Sequence, residues 1–294
     1  MNSSPEDASE DLTERKPYDD EIDVHGLTHV GKLRKENQDH FLICSLKKQL
    51  DVFQTSLADP EALQGADERI AFLAMVADGV GGGPKGEEAS RLTVGGVTQY
   101  VAESMHAYYA ADPDDPEGFV QALAEAAQRC TVDLRKRGEE DPSSLDMATT
   151  LSLWIGLWPQ AYLLQVGDSR YYMLRDGELT QVSRDQTIAQ ELVDQGVFSQ
   201  TSTEELPWSN VLSSAIGGSQ TNPVVTAIDN DWDTVHLLCS DGLTKHVSDA
   251  RIKERLVHMS SAQEACEQLL QDALDGGGTD NITMIVGRTQ QRRS

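Results

Sequence analysis

Residues 161–182 read AYLLQVGDSRYYMLRDGELTQV, and this stretch limits the possible folds more than any other. Its periodicity predicts strand, turn, strand, turn, strand. Asp176-Gly177, set between Tyr171-Tyr172-Met173-Leu174 and Glu178-Leu179-Thr180, is a strong hairpin signal. This part of the sheet is therefore expected to be antiparallel. ATTLSLWIGLWP (148–159) predicts a further strand running into it.

Helical patterns occur on both sides of this region. Residues 86–106 carry acids in their first turn, which suits the helix dipole, although Gly95-Gly96 interrupts the pattern. Residues 116–137 open on Pro and end basic. Residues 187–196 and 261–278 both end in glycine, the favoured C-terminal cap. Strands and helices mix without strict βαβ alternation. The expectation is helices layered on antiparallel sheets.

The chain has 294 residues, 38% of them hydrophobic, enough for one sizeable core. Residues 1–20 are acidic and nearly free of aliphatic side chains, and read as a disordered tail. Residues 21–289 read as one globular domain and 290–294 as a short polar end. No apolar run approaches the roughly 20 residues of a membrane helix, and the N-terminus lacks a secretory pattern, so a cytoplasmic protein without a membrane partner is expected. The four cysteines form no C-x-x-C pair; Cys44 and Cys239 lie in apolar runs and read as buried thiols. A net charge of −25 argues against nucleic acid as a partner and is compatible with cations as ligands.

Four apolar strands carry Asp at one end. AFLAMVADG ends on Asp78 and VHLLCSDG on Asp241; strands begin just after Asp39 and Asp280. In antiparallel pairing the end of one strand lies beside the start of its neighbour, so all four carboxylates can meet at one sheet edge. Bare, they would repel; protons or cations must neutralise them. Oxygen-only ligands point to a hard ion: Mg²⁺, Mn²⁺ or Ca²⁺. An isolated Asp-Gly is most often only a turn, and Asp176-Gly177 is read that way. Four strand-end acids together favour a metal site.

In this order, RKENQD (34–39), ADGVGG (77–82), DMATT (146–150), GDSRYY (167–172), SDGL (240–243) and TDNIT (279–283) resemble the protein phosphatase 2C family of metal-dependent phosphatases, in its bacterial form. The resemblance runs from about Val24 to Gly287. It implies an α+β fold, a four-layer α-β-β-α sandwich with two central antiparallel sheets flanked by helices. It also implies two Mn²⁺ or Mg²⁺ ions at the sandwich edge, bridged by a water or hydroxide that attacks a phosphomonoester in line. Asp78 would bridge both ions and the Gly79 carbonyl would bind one. Asp241 and Asp280 would complete a shell, and Asp39 would hold metal-bound water. Arg34 would grip the phosphate, Asp146 would bind a weaker third ion, and Asn281 would support the site. The family implies phosphoserine and phosphothreonine proteins as substrates, a Ser/Thr kinase in opposition, and a monomer. Eukaryotic relatives have His where this chain has Val80; His40 is disfavoured as a general acid because it faces away from Asp39, and a metal-bound water is preferred. His25 and His29 read as strand residues rather than a zinc pair. Segment 184–223 matches the family's flap, where Trp208 is expected to pack. The rival reading, a pseudophosphatase acting as a phosphoprotein-binding module, would have lost some of the four Asp, and all are present. A partner-switching phosphatase would usually carry a sensor domain. A plain Ca²⁺-binding domain would not need Arg34.

Overall fold

The apolar runs leading into or out of Asp78, Asp241 and Asp280 lack the in–out alternation of a half-buried strand, because both faces of each strand are covered. The computed structural model describes residues 15–48, 68–81, 84–111, 116–141, 144–199 and 208–291. One sheet has the order β1-β11-β10-β7-β8, from β1 (Ile22–His29), β7 (Arg170–Arg175), β8 (Glu178–Gln181), β10 (Val235–Cys239) and β11 (Ile282–Thr289). The other has the order β2-β3-β5-β6-β9, from β2 (Asp39–Lys48), β3 (Glu68–Val80), β5 (Leu151–Leu157), β6 (Gln160–Val166) and β9 (Val224–Asp229). A short β4 (Ala148–Thr149) pairs with the end of β3. Every pairing is antiparallel.

Successive strand residues supply different cores. On β3, Leu73 and Met75 pack with α1 (Pro84–Ala111) and α2 (Pro116–Glu140), whereas Ala74 and Val76 pack between the sheets. On β11, Ile282, Met284 and Val286 pack with α5 (Asp249–His258) and α6 (Ala262–Asp275), whereas Ile285 faces the other sheet. Three cores thus hold together four layers, as the family resemblance implies.

The expected helices all form, with shifted ends. The first runs to Ala111 straight through Gly95-Gly96, where a side chain at Gly96 would press within 3.2 Å of Cys130 Sγ on α2. The second extends to Glu140. The third is α3 (Ile188–Asp194), whose cap Thr187 accepts from the Gln190 amide. The fourth, α6, is capped by Ser261. Asp176 (φ 51°) and Gly177 (φ 75°) make the expected β7–β8 hairpin in the left-handed conformation. The turn before it is different. β6 and β7 do not pair; the chain leaves one sheet at Val166 and enters the other at Arg170. The Thr150–Ser169 hydroxyl bond (2.7 Å) and the Ser152 hydroxyl on Ser169 O (2.8 Å) pin that crossing.

Residues 15–21 are bonded to the sandwich: Arg15 pairs with Glu21 (2.6 Å), and Asp19 with Arg69 and Lys47. The remainder of the acidic stretch, residues 1–14, lies outside the described residues. All four cysteines are free, and burial pushes the Cys130, Cys239 and Cys266 thiols up to about 12, which makes them inert. Trp208 packs edge-to-face on Phe198 at 6.2 Å; flap residues 200–207 lie outside the described residues.

Between the sheets, His236 on β10 bonds Tyr171 Oη through Nδ1 (2.7 Å) and lies 5.0 Å from the Trp154 ring. Burial, aided by Arg175, pushes its pKa from 6.5 down to about 3. The unfolded chain takes up this proton near the ordinary value. The stability carried by the neutral ring is therefore complete above that value and lost as pH falls towards 3. Between about pH 7 and pH 5 this one group should cost about 2 kcal/mol. Urea unfolding at those two pH values should show His236→Phe losing about 2 kcal/mol less than wild type. Equal losses would show that His236 does not carry the acid lability.

Candidate active site

β2 begins and β3 ends at the same edge, and their register sets Asp39 directly opposite Asp78. Like charges in that position destabilise a sheet, so the surroundings must hold them there. Ser240 Oγ donates to Asp39 Oδ2 (2.7 Å) and itself accepts from the Thr283 amide (3.0 Å). The Asp78 backbone is clamped from the DMATT segment. Its amide donates to Thr150 Oγ1 (3.0 Å), and its carbonyl accepts from the Thr149 hydroxyl and the Thr150 amide (both 2.8 Å). Gly79 is required by close approach: a Cβ there would lie 2.2 Å from Gly86 O at the start of α1.

The other sheet brings two more acids. Asp241 opens α4 (Asp241–Thr244), one residue beyond β10 with Ser240 between them, and Asp280 precedes β11. Asp280 accepts from Arg34 through both oxygens, at 2.7 and 2.9 Å. Lys245 Nζ lies 2.6 Å from Asp241 Oδ2 and 2.8 Å from Asp280 Oδ2. Asn281 fixes the loop that carries Arg34: its Oδ1 accepts from the Gln38 amide (2.9 Å), and its Nδ2 donates to Val30 O and Glu36 O (3.0 and 2.9 Å). The structure thus places Asp39, Asp78, Gly79, Asp241, Asp280, Arg34 and Asn281 together, at one end of the sandwich.

Two residues that sequence reading left without a role belong here. Asp168, in the turn that crosses between sheets, lines the same basin of about 450 Å³ as Asp78, Asp241 and Asp280. The GDSR motif held the signal, an acid one glycine beyond a buried strand. Lys245 lines the basin as well, and its signal was the four-residue spacing from Asp241 in SDGLTK. Asp146 is different: it is exposed, in a left-handed turn (φ 64°), and is not among the residues lining the basin. His40 bonds Ser90 on α1 (2.9 Å), on the side away from Asp39, as strand alternation requires.

Burial and mutual repulsion dominate the electrostatics. Burial lifts Asp39 to about 6 against hydrogen bonds that favour its charge. Burial, then the Asp39 and Asp241 charges, hold Asp78 well above the carboxylate range. Asp168 rises to about 8 through burial and the charges of Asp241 and Asp185. Burial also raises Asp241, and outweighs the pull of Lys245. Asp280 alone falls, because Arg34 and Lys245 outweigh its burial.

Among the described residues no three acids are gathered into a ready metal cage; Arg34 and Lys245 engage Asp280 and Asp241 instead. The donor set nevertheless fits hard divalent ions. All the candidate side-chain donors are oxygen, and Asp39 Oδ1 and Asp241 Oδ1 are buried with no hydrogen-bond partner. Buried carboxylate oxygens left in that state call for a cation.

A sequence profile for protein phosphatase 2C matches residues 58–276. The serine/threonine protein phosphatase PstP of Mycobacterium tuberculosis is 35% identical over 217 residues, 74% of this chain and 40% of that protein. The chain thus matches less than half the length of that relative. The serine/threonine phosphatase stp of Listeria innocua is 30% identical over 216 residues, 73% of this chain and 83% of that protein. The crystal structure of the M. tuberculosis enzyme superposes with a TM-score of 0.73 at 27% identity, covering 92% of this chain and 99% of that one. A structure of the PstP catalytic domain with two manganese ions gives 0.69 at 28% identity, covering 92% and 99%. Taken with the six motifs and the edge they build, these matches establish that the chain belongs to the protein phosphatase 2C family.

Proposed function

We propose that this chain hydrolyses phosphoserine and phosphothreonine monoesters in proteins, with two Mn²⁺ or Mg²⁺ ions, and opposes a Ser/Thr kinase in bacterial signalling. The observation that carries the reading is the paired Asp39 and Asp78, joined by Asp241 and Asp280, with two buried carboxylate oxygens left without partners. Family membership and the manganese complex of a relative support it.

Asp39, Asp78, the Gly79 carbonyl, Asp241 and Asp280 would hold the ions. Bound there, they supply Lewis-acid neutralisation of the phosphoryl oxygens and an activated water. The remaining roles belong to the chain. Arg34 reaches the rim with its side chain about half exposed (47%), so its planar guanidinium can meet phosphate oxygens while Asp280 orients it. Thr149 and Thr150 fix the Asp78 backbone, so that its carboxylate need not reorganise as charge develops. The basin is open and flanked by Ser213 and Ser214 of the flap, which leaves room for a phosphorylated loop of a folded protein. Asp146 is proposed as a ligand of a weaker third ion, reached from its exposed turn. A monomer working in the cytoplasm is part of the same proposal; among the described residues no helix is long and apolar enough to cross a membrane.

The first test is hydrolysis of p-nitrophenyl phosphate and of a phosphothreonine peptide, with Mn²⁺ and with EDTA. Turnover should need the metal, and Asp78→Asn should lower kcat on the order of 10³-fold, about 4 kcal/mol of barrier. Absence of turnover with every divalent ion would overturn the enzyme reading. Turnover surviving both EDTA and the mutation would show that the site is misassigned. A second comparison concerns Arg34. Arg34→Ala should lower kcat/KM roughly 10- to 100-fold, mainly through KM, and Arg34→Lys should recover only part, because a point charge cannot make the paired contact. Full recovery with Lys would show that charge alone suffices.

A further inference from the structure

Lys245 is placed where a divalent ion would have to go. Its Nζ touches one oxygen of Asp241 (2.6 Å) and one of Asp280 (2.8 Å), joining a carboxylate just after β10 to one just before its neighbour β11. The side chain is only 29% exposed. Its stem rises from the residue that caps the C-terminus of α4, and its amide bonds Asp241 O (2.9 Å), so the ammonium is anchored four residues from the acid it pairs with. Arg34, the other cation of the cluster, touches Asp280 alone among these acids and reaches it from the exposed rim. Lys245 therefore stands apart: one positive charge, inside the basin, on two proposed metal ligands at once.

The geometry points to Lys245 as a resident cation that competes with divalent metal for Asp241 and Asp280, and so sets the metal concentration at which the site fills. This rests on the two-metal reading above. The physical argument is one of exchange. A lone ammonium neutralises part of a cluster that also contains Asp39, Asp78 and Asp168, and so stabilises the fold without metal. A divalent ion brings more charge to the same oxygens, but it must first displace the ammonium and then bear its repulsion at close range. Both costs subtract from metal affinity, and both vanish when position 245 is neutral. The cation's charge matters here, rather than its shape, and this separates competition from a merely structural role.

The test is Mn²⁺ binding, measured by calorimetric titration of the metal-free full chain for wild type, Lys245→Met and Lys245→Arg. Lys245→Met should bind Mn²⁺ at least about tenfold more tightly, roughly 1.4 kcal/mol. Lys245→Arg keeps the charge and should stay within about threefold of wild type. Without metal, Lys245→Met should melt below wild type, and should gain more on adding Mn²⁺. If Lys245→Met does not fold, Lys245→Gln serves in its place. Equal or weaker Mn²⁺ binding by the folded neutral variant would overturn the competition while leaving the two-metal reading intact. No Mn²⁺ binding by any of the proteins would overturn both.

Discussion

Asp39 and Asp78 face each other across two hydrogen-bonded strands, and the rest of the site is arranged around that unfavourable pair. A sheet does not ordinarily hold two carboxylates opposite one another. Here Ser240 holds one through its side chain, and Thr149 and Thr150 hold the other through its backbone. These supports come from two separate segments, neither adjacent in sequence to the acid it holds. The repulsion is thus built into the fold, and a cation is what relieves it.

The four-layer architecture makes this possible. Each central strand is buried on both faces, so polar groups can gather only where strands begin and end. Antiparallel pairing sends the start of β2 and the end of β3 to the same edge, and β10 and β11 deliver Asp241 and Asp280 from the facing sheet. Asn281 then closes the loop that carries Arg34 over that edge. Positive charge arrives in two forms: an exposed guanidinium suited to a phosphate, and a more enclosed ammonium suited to the acids themselves.

Much of this was legible in the chain. Apolar runs with Asp at one end identified the four principal acids, because an acid beside a buried strand needs a reason. The Asp176-Gly177 hairpin was legible because both residues accept positive φ. The crossing at Gly167-Asp168-Ser169 was not, since a turn between sheets and a turn within one have similar local residues. With it, Asp168 escaped notice: its position depends on which sheet each neighbouring strand joins. Asp146 shows the converse. Its motif marks it for the site, yet its side chain lies outside the basin, on an exposed turn.

The sequence by itself determined the elements, their apolar faces and the family, because periodicity, turn chemistry and motif order are local properties that survive in one dimension. The tertiary structure alone decided the neighbours: Asp39 against Asp78, Asp168 beside Asp241, and Lys245 between Asp241 and Asp280. Those contacts depend on register and sheet assignment. They are set by how two sheets and two helical layers bury their faces together, and no short stretch of residues encodes that.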